Sequence, residues 1–322
     1  MQSLVAGLRL RPPDQARDRI LINVSIDPDA IPRLVGWVQP QAGNKRLQID
    51  RLKVNAVKLA LRGAEVPSFD ATVDFAKDGG LLKAMLRDPK LSVELIPTKD
   101  QGLRANFSAK SWQSPVGLAV EFADLTGNAI ITGQKIVVSG LEGTLYDGTL
   151  KGTATIKWGS ALTAEGEFTL NGADVGKLLP AFTREFAASG VLNIDAKFVT
   201  QGRTVEELFA APRVAATFAL LKGSLNNVDL VRAMQSAGRT PQRGGRTTFS
   251  EITGEAQVSG NRISYRNLKR VSGPMNGTGT IDVSPAAELS GRLNLVLGSS
   301  TVTVARGSLQ VSGHLKDPLL SQ

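Results

Sequence analysis

Apolar and polar residues alternate at a period of two along much of the chain. Leu150, Gly152, Ala154, Ile156 and Trp158 fall on one side, against Thr149, Lys151, Thr153, Thr155 and Lys157 on the other. Leu162, Ala164, Gly166, Phe168 and Leu170 oppose Thr163, Glu165, Glu167 and Thr169, and Leu192, Ile194, Ala196 and Phe198 oppose Asn193, Asp195 and Lys197. The pattern returns at Leu293, Leu295 and Leu297, at Val302 and Val304, and at Leu309 and Val311. Earlier candidates are residues 47–61, 69–75 and 91–96. Successive strand side chains point to opposite sides, so each segment predicts a strand with one apolar and one wet face. Turns rich in Gly, Asn and Asp, such as Tyr146-Asp147-Gly148, separate them and predict antiparallel meanders.

Helical spacing is rare. Val175, Leu178, Leu179 and Phe182 predict a helix over 174–187, interrupted by Pro180, which cannot donate to the helical ladder. Shorter helices are predicted over 80–87, 204–210 before Pro212, and 229–237. Asp174 and Asp229 stand where a carboxylate would accept first-turn amides and offset the positive helix end. Each follows a strand end in matching hexapeptides, Leu170-Asn171-Gly172-Ala173-Asp174-Val175 and Leu225-Asn226-Asn227-Val228-Asp229-Leu230. A weaker echo lies at Ile26-Asp27 before Ile31, Leu34 and Val35. A second repeat aligns Gly148-Thr149-Leu150-Lys151-Gly152-Thr153-Ala154-Thr155-Ile156 with Gly273-Pro274-Met275-Asn276-Gly277-Thr278-Gly279-Thr280-Ile281. These signals predict a mainly β fold, a long curved antiparallel sheet with a few short covering helices.

Composition fits that reading. The 322 residues include 33 glycines, no cysteine and only 5% aromatics. The chain is long enough for one large all-β domain or two ordinary ones. Without cysteine, disulfide frameworks and thiolate metal sites are excluded. The formal net charge of +9 raises nucleic acid, anionic lipid and acidic glycans as partners. Interleaved acids break any continuous phosphate-tracking stripe, and no nucleic acid is expected. The densest basic stretch, Arg239, Arg243, Arg246, Arg262, Arg266, Lys269 and Arg270, reads first as a solvated loop and strand face. Contact with phosphate headgroups is its next reading.

No uncharged apolar run approaches the roughly 20 residues of a membrane helix. Residues 1–11 are too short and too soon interrupted by arginine for a secretory signal. The best breaks are the polar stretch 97–101 and the arginine- and glycine-rich 238–247, expected as a mobile loop. Neither is a clean linker, so the expected division is 1–140, an N-terminal β-rich segment, running on into 141–322.

Catalytic chemistry is poorly provided for. His314 is the only histidine, which limits triads and histidine metal clusters to that position. No phosphate-cradling glycine loop opens a helix, and Gly277-Thr278-Gly279 lies inside a strand repeat. Asp147, Glu165 and Glu167 fall on turns or on the wet side of strands, while Glu206 and Glu207 begin a short helix, a favoured place for acids. Trp37, Trp112 and Trp158 are scattered and define no sugar-stacking platform. No catalytic residue, metal or cofactor is expected, and an enzyme is not.

From about Leu141 onward the ordered signals resemble the C-terminal region of AsmA-like proteins. They begin with Gly143-Thr144-Leu145-Tyr146-Asp147-Gly148-Thr149-Leu150-Lys151-Gly152 and the two Asp-capped hexapeptides. They continue through Gly202-Arg203-Thr204-Val205-Glu206-Glu207-Leu208 and Thr247-Thr248-Phe249-Ser250-Glu251-Ile252-Thr253-Gly254. They close with Gly277-Thr278-Gly279-Thr280-Ile281-Asp282 and Val311-Ser312-Gly313-His314-Leu315-Lys316-Asp317-Pro318. The resemblance implies a periplasmic protein of double-membrane bacteria, tethered to the inner membrane through a segment absent from this chain. It also implies kinship with bridge-like lipid-transfer proteins, in which a β-groove carries acyl chains of phospholipid or lipopolysaccharide. On that expectation Leu150, Ala154, Ile156, Trp158, Phe168, Leu170, Ile194, Phe198, Ile281, Leu293 and Leu295 line the groove. Gly152, Ala154, Gly277 and Gly279 leave room for chains, and Arg262, Arg266, Lys269 and Arg270 meet headgroups. The alternative is a structural or assembly module that binds outer-membrane proteins or other envelope partners and keeps its apolar face packed internally.

Overall fold

The structure, a computed structural model, describes residues 18–22, 25–26, 50–61, 64–65, 67–115, 117, 119–236, 240–273, 275–298 and 303–322. Val302, Trp37, Arg239, residues 47–49 and the echo at Ile26-Asp27 to Val35, Ile26 excepted, lie outside them. Strands hold 70% of the described residues and helices 8%, and 17 of the strands form one antiparallel sheet that is not closed into a barrel. The mainly β expectation therefore holds.

The first strands are β1 (Asp18–Ile22), β2 (Ser25–Ile26), β3 (Arg51–Leu61), β4 (Ala64–Glu65), β5 (Phe69–Phe75), β6 (Leu81–Arg87), β7 (Leu91–Pro97), β8 (Leu103–Gln113), β9 (Glu121–Ile131) and β10 (Lys135–Leu145). Next come β11 (Gly148–Lys157), β12 (Leu162–Asp174), β13 (Ala188–Gly202), β14 (Arg213–Asn226) and β15 (Arg246–Ser259). The last are β16 (Arg262–Ser272), β17 (Met275–Val283), β18 (Leu289–Gly298), β19 (Thr303–His314) and β20 (Asp317–Ser321). β1 and β2 run parallel to β3, and from β5 onward each strand is bonded to the next in sequence. Short turns make this possible. At the β10–β11 hairpin Tyr146 and Asp147 both take positive φ, 48° and 69°, the backbone that a two-residue hairpin of matching twist requires.

The residues group into two units, one of 1–143, 152–164 and 201–209, the other of 144–151, 165–200 and 210–322. In the first unit the register carries one apolar row through six strands: Val54, Ala71, Leu86, Val93, Phe107 and Gly127. A Cβ on Gly127 would stand 2.5 Å from the Phe107 ring, so glycine here lets that ring lie flat across the neighbouring strand. Val54, Val57 and Ala71 form the buried centre of this unit's core beside Leu52, Phe69 and Leu86. Residues 97–101 fall at the β7–β8 hairpin, inside this unit.

In the second unit Ala196, Ala216, Ala256, Tyr265, Ile281, Gly291, Val311 and Leu320 form a row across eight strands. A parallel row runs Leu192, Leu220, Ile252, Arg270, Gly277 and Leu295. The intervening residues, Thr217, Thr278 and Arg292 among them, are exposed.

Three of the predicted helices form, each trimmed. Val175–Leu178 is α-helical and passes into a tighter turn at Leu179–Ala181, which accommodates Pro180 and stops the helix short of 187. Asp174 caps it, accepting from the Gly176 and Lys177 amides, and Asp229 caps Leu230–Gln235 by accepting from Arg232. Val205–Ala210 is the third. The helix predicted over 80–87 is instead β6. Its sequence, Leu-Leu-Lys-Ala-Met-Leu-Arg, is made of good helix formers, but ladders to β5 and β7 on both sides override that preference. Within the stretch expected as a mobile loop, the described residues Gln242 and Arg243 are bonded to the C-terminal strand: the Gln242 and Leu320 main chains exchange bonds of 2.8 and 2.9 Å, and Arg243 pairs with Asp317.

Candidate functional site: the apolar face of the sheet

The second unit's apolar face has a closed end and a part-open stretch. At the closed end the Leu230–Gln235 helix lays Leu230 and Ala233 on Met275, Leu295, Leu309, Val311 and Leu320. Leu295 is 1% exposed and Leu309 not at all. The part-open stretch comprises Phe218, Ile252, Leu268, Ile281 and Leu293, all of intermediate exposure. Tyr265 stands among them, its ring edge-on to Phe218 at 6.0 Å between centroids, and burial pushes its phenol above the usual value.

The proposed lining residues divide accordingly. Leu150, Leu170 and Leu295 are buried, at 8, 4 and 1% exposure, and belong to packed interior. Phe168, Ile194, Phe198, Ile281 and Leu293 are half-buried, as are Ala154 and Ile156 in the first unit. Trp158 corrects the alternation expected for it. It lies beyond the end of β11, where its indole N–H donates to the Gly133 carbonyl at 3.0 Å. Gly277 and Gly279 do not leave empty space either. A Cβ on them would stand 2.6 Å from Leu295 Cδ2 and 2.5 Å from Leu293 Cδ2, because those leucines lie flat over the glycines.

The basic residues separate by face. Arg262 and Lys269 are exposed, and Arg266 donates from Nη2 to Asp282 at 2.7 Å. That bond, with one from Ser264, holds the Asp282 carboxyl below the usual range. Arg270 is no surface contact: it is 9% exposed and belongs to the apolar row between Ile252 and Gly277. Burial lowers its pKa. Sequence parity hides this placement, because an extra residue enters β16 at Asn267, whose φ is 52°.

The remaining polar residues are engaged locally. Asp147 accepts from Lys177 Nζ at 2.6 Å, Glu167 lies 3.8 Å from Lys197, and Glu207 accepts from the Arg203 amide at 2.7 Å. His314 Nδ1 accepts from the Lys316 amide at 3.3 Å. Among the described residues no group of three or more histidines and carboxylates is placed to hold a metal ion. A shallow depression of about 570 Å³, unpredicted by the sequence, lies over Asn276, Thr278, Asn294, Arg306 and Ser308, which alternate with the apolar set. Among the described residues no helix is long and apolar enough to cross a membrane.

No family model matches the chain, and no curated protein or solved structure matches it.

Proposed function

We propose that the chain is a non-enzymatic lipid-binding β-groove protein that aids transport or assembly of phospholipid or lipopolysaccharide at the outer membrane of double-membrane bacteria. It works in the periplasm, in keeping with the AsmA-like resemblance. The observation that carries this reading is the part-open apolar stretch of Phe218, Ile252, Leu268, Ile281 and Leu293 on an unclosed sheet. Apolar area removed from water contributes about 25 cal/mol per Å², so acyl chains favour such a strip over solvent. No bond is broken; the apolar wall does the work.

Native mass spectrometry of the purified chain tests this directly, with co-purified phospholipid as the expected result. Phe168→Glu or Ile156→Glu, each placing a charge on a half-buried apolar position, should deplete it. Unchanged occupancy in both variants rejects the groove. The closed end of the face favours the second reading, an assembly module with an internally packed face, and that module carries no lipid at all.

A further inference from the structure

On the wet side of the second unit, around β17, β18 and β19, stand cations that no described carboxylate balances. Three rows of paired residues cross these strands. Thr280, Arg292 and Gln310 form the first, and Lys269, Thr278, Asn294 and Ser308 the second. Asn276, Val296 and Arg306 form the third. The rows contain no Asp or Glu. Lys269, Arg292 and Arg306 are exposed, and among the described residues none of them has an ion-pair partner. Other surface cations of this unit are matched, Lys177 by Asp147, Arg243 by Asp317 and Arg266 by Asp282.

The depression of about 570 Å³ lies between the second and third rows, with Val296 in its lining beside the polar residues. Neighbouring strands are about 5 Å apart and alternate residues along one strand about 7 Å, so it spans about 10 Å across three strands. Lys269 stands opposite Thr278 on β16, Arg292 two residues from Asn294 on β18, and Arg306 on β19. Positive charge therefore borders the depression on three sides.

The residues inside it narrow the ligand. Asn amides and Thr and Ser hydroxyls both donate and accept, which suits a ligand dense in hydroxyl groups. Val296 offers a small apolar surface to the C–H side of a ring, and the cations call for negative charge. A single valine removes too little apolar area from water to hold an acyl chain. The rows contain no aromatic side chain on which a nucleic acid base could stack.

We infer that this depression is a binding site for an acidic saccharide, its carboxylate paired with Arg306 and its hydroxyls bonded to Asn276, Asn294 and Ser308. The planar guanidinium fork matches the two carboxylate oxygens. The site lies on the other side of the strands from Leu293 and Leu295, so it stands whether or not the groove reading holds.

The test is calorimetric titration of the full chain, at fixed ionic strength, with trigalacturonate, maltotriose and tripolyphosphate. Trigalacturonate should bind about tenfold or more tighter than maltotriose, the worth of a charged hydrogen bond. Arg306→Gln should remove that advantage and leave maltotriose binding as it was. Asn294→Ala should weaken trigalacturonate by about fivefold without changing tripolyphosphate, because only the sugar uses the amide. Both residues are exposed, so neither change disturbs the core. Arg104→Gln, an exposed cation of the first unit, should alter nothing. A wild type that does not bind trigalacturonate overturns the site. Tripolyphosphate binding as tightly as trigalacturonate reduces it to a charged patch and overturns the saccharide. So does a loss from Arg104→Gln equal to that from Arg306→Gln, which would trace the binding to net charge alone.

Discussion

Leu295 and Leu293 sit two residues apart on the same side of β18, yet the first is closed to solvent and the second is half-open. Both face a glycine across β17, Gly277 for Leu295 and Gly279 for Leu293, and both hold the same place in the alternation; across β19 Leu295 faces Gly307 and Leu293 faces Leu309. The difference comes from a segment some sixty residues earlier in the chain. There Asp229 starts a helix whose Leu230 and Ala233 press on Leu295 and Leu309. The helix is held at its start by a relay in which the Leu230 amide donates to Thr247 Oγ1 at 3.1 Å and that hydroxyl donates to the Val228 carbonyl at 2.6 Å. An alternating strand therefore offers an apolar face without deciding whether it is covered; a short helix decides it.

Deleting side chains at the two places should separate them most clearly. Leu309→Ala, under the helix, should lower the unfolding free energy by about 2–5 kcal/mol, the transfer loss plus the cavity left behind. Leu268→Ala, on the part-open stretch, should cost about 1 kcal/mol, because solvent already reaches the site and no sealed cavity forms. Urea midpoints at constant slope measure both. Equal losses would mean that the stretch around Leu268 is as solid as the covered end, and the comparison would fail.

The alternation is a local property, and for that reason the strands through Leu150, Phe168, Leu192 and Leu293 were legible, as were the Tyr146-Asp147 turn and the caps at Asp174 and Asp229. What hid from the sequence depends on partners or on register. Residues 81–87 have helix-forming composition and became a strand because β5 and β7 bracket them. In β16 the apolar set is odd-numbered at Ile263 and Tyr265 and even-numbered at Leu268 and Arg270. A single inserted residue exchanges the two faces of everything beyond it. Nothing in Arg266-Asn267-Leu268 announces that slip, so Arg270 reads as one more surface cation when it is buried.

The helix that makes the difference can itself be loosened. Asp229→Ala removes the acceptor of the Arg232 amide and should cost about 1 kcal/mol. The loss should be local. Hydrogen exchange at the Ala233 amide, which bonds the Asp229 carbonyl at 3.1 Å, should quicken by about fivefold. Amides of β14 should keep their wild-type rates. Uniform acceleration through β14 would make the cap part of the sheet's own stability and not a fastening of the cover.

The smallest effect concerns the wet side behind the part-open stretch, where Asp282 alternates with Ile281 and Val283. Asp282 accepts from Arg266 at 2.7 Å and from Ser264 at 2.5 Å, and these bonds depress its folded pKa. A depressed carboxyl contributes stability that is complete above the unfolded value of about 4 and disappears as pH falls through the folded one. Asp282→Asn should therefore be less stable than the wild type at neutral pH, by under about 1 kcal/mol as befits a pair near the surface. The two proteins should converge on acidification below the ordinary carboxylate range. Thermal midpoints across that acid limb check the sign. Curves that stay parallel would show that Asp282 titrates alike folded and unfolded, and that Arg266 neither holds it nor is held by it.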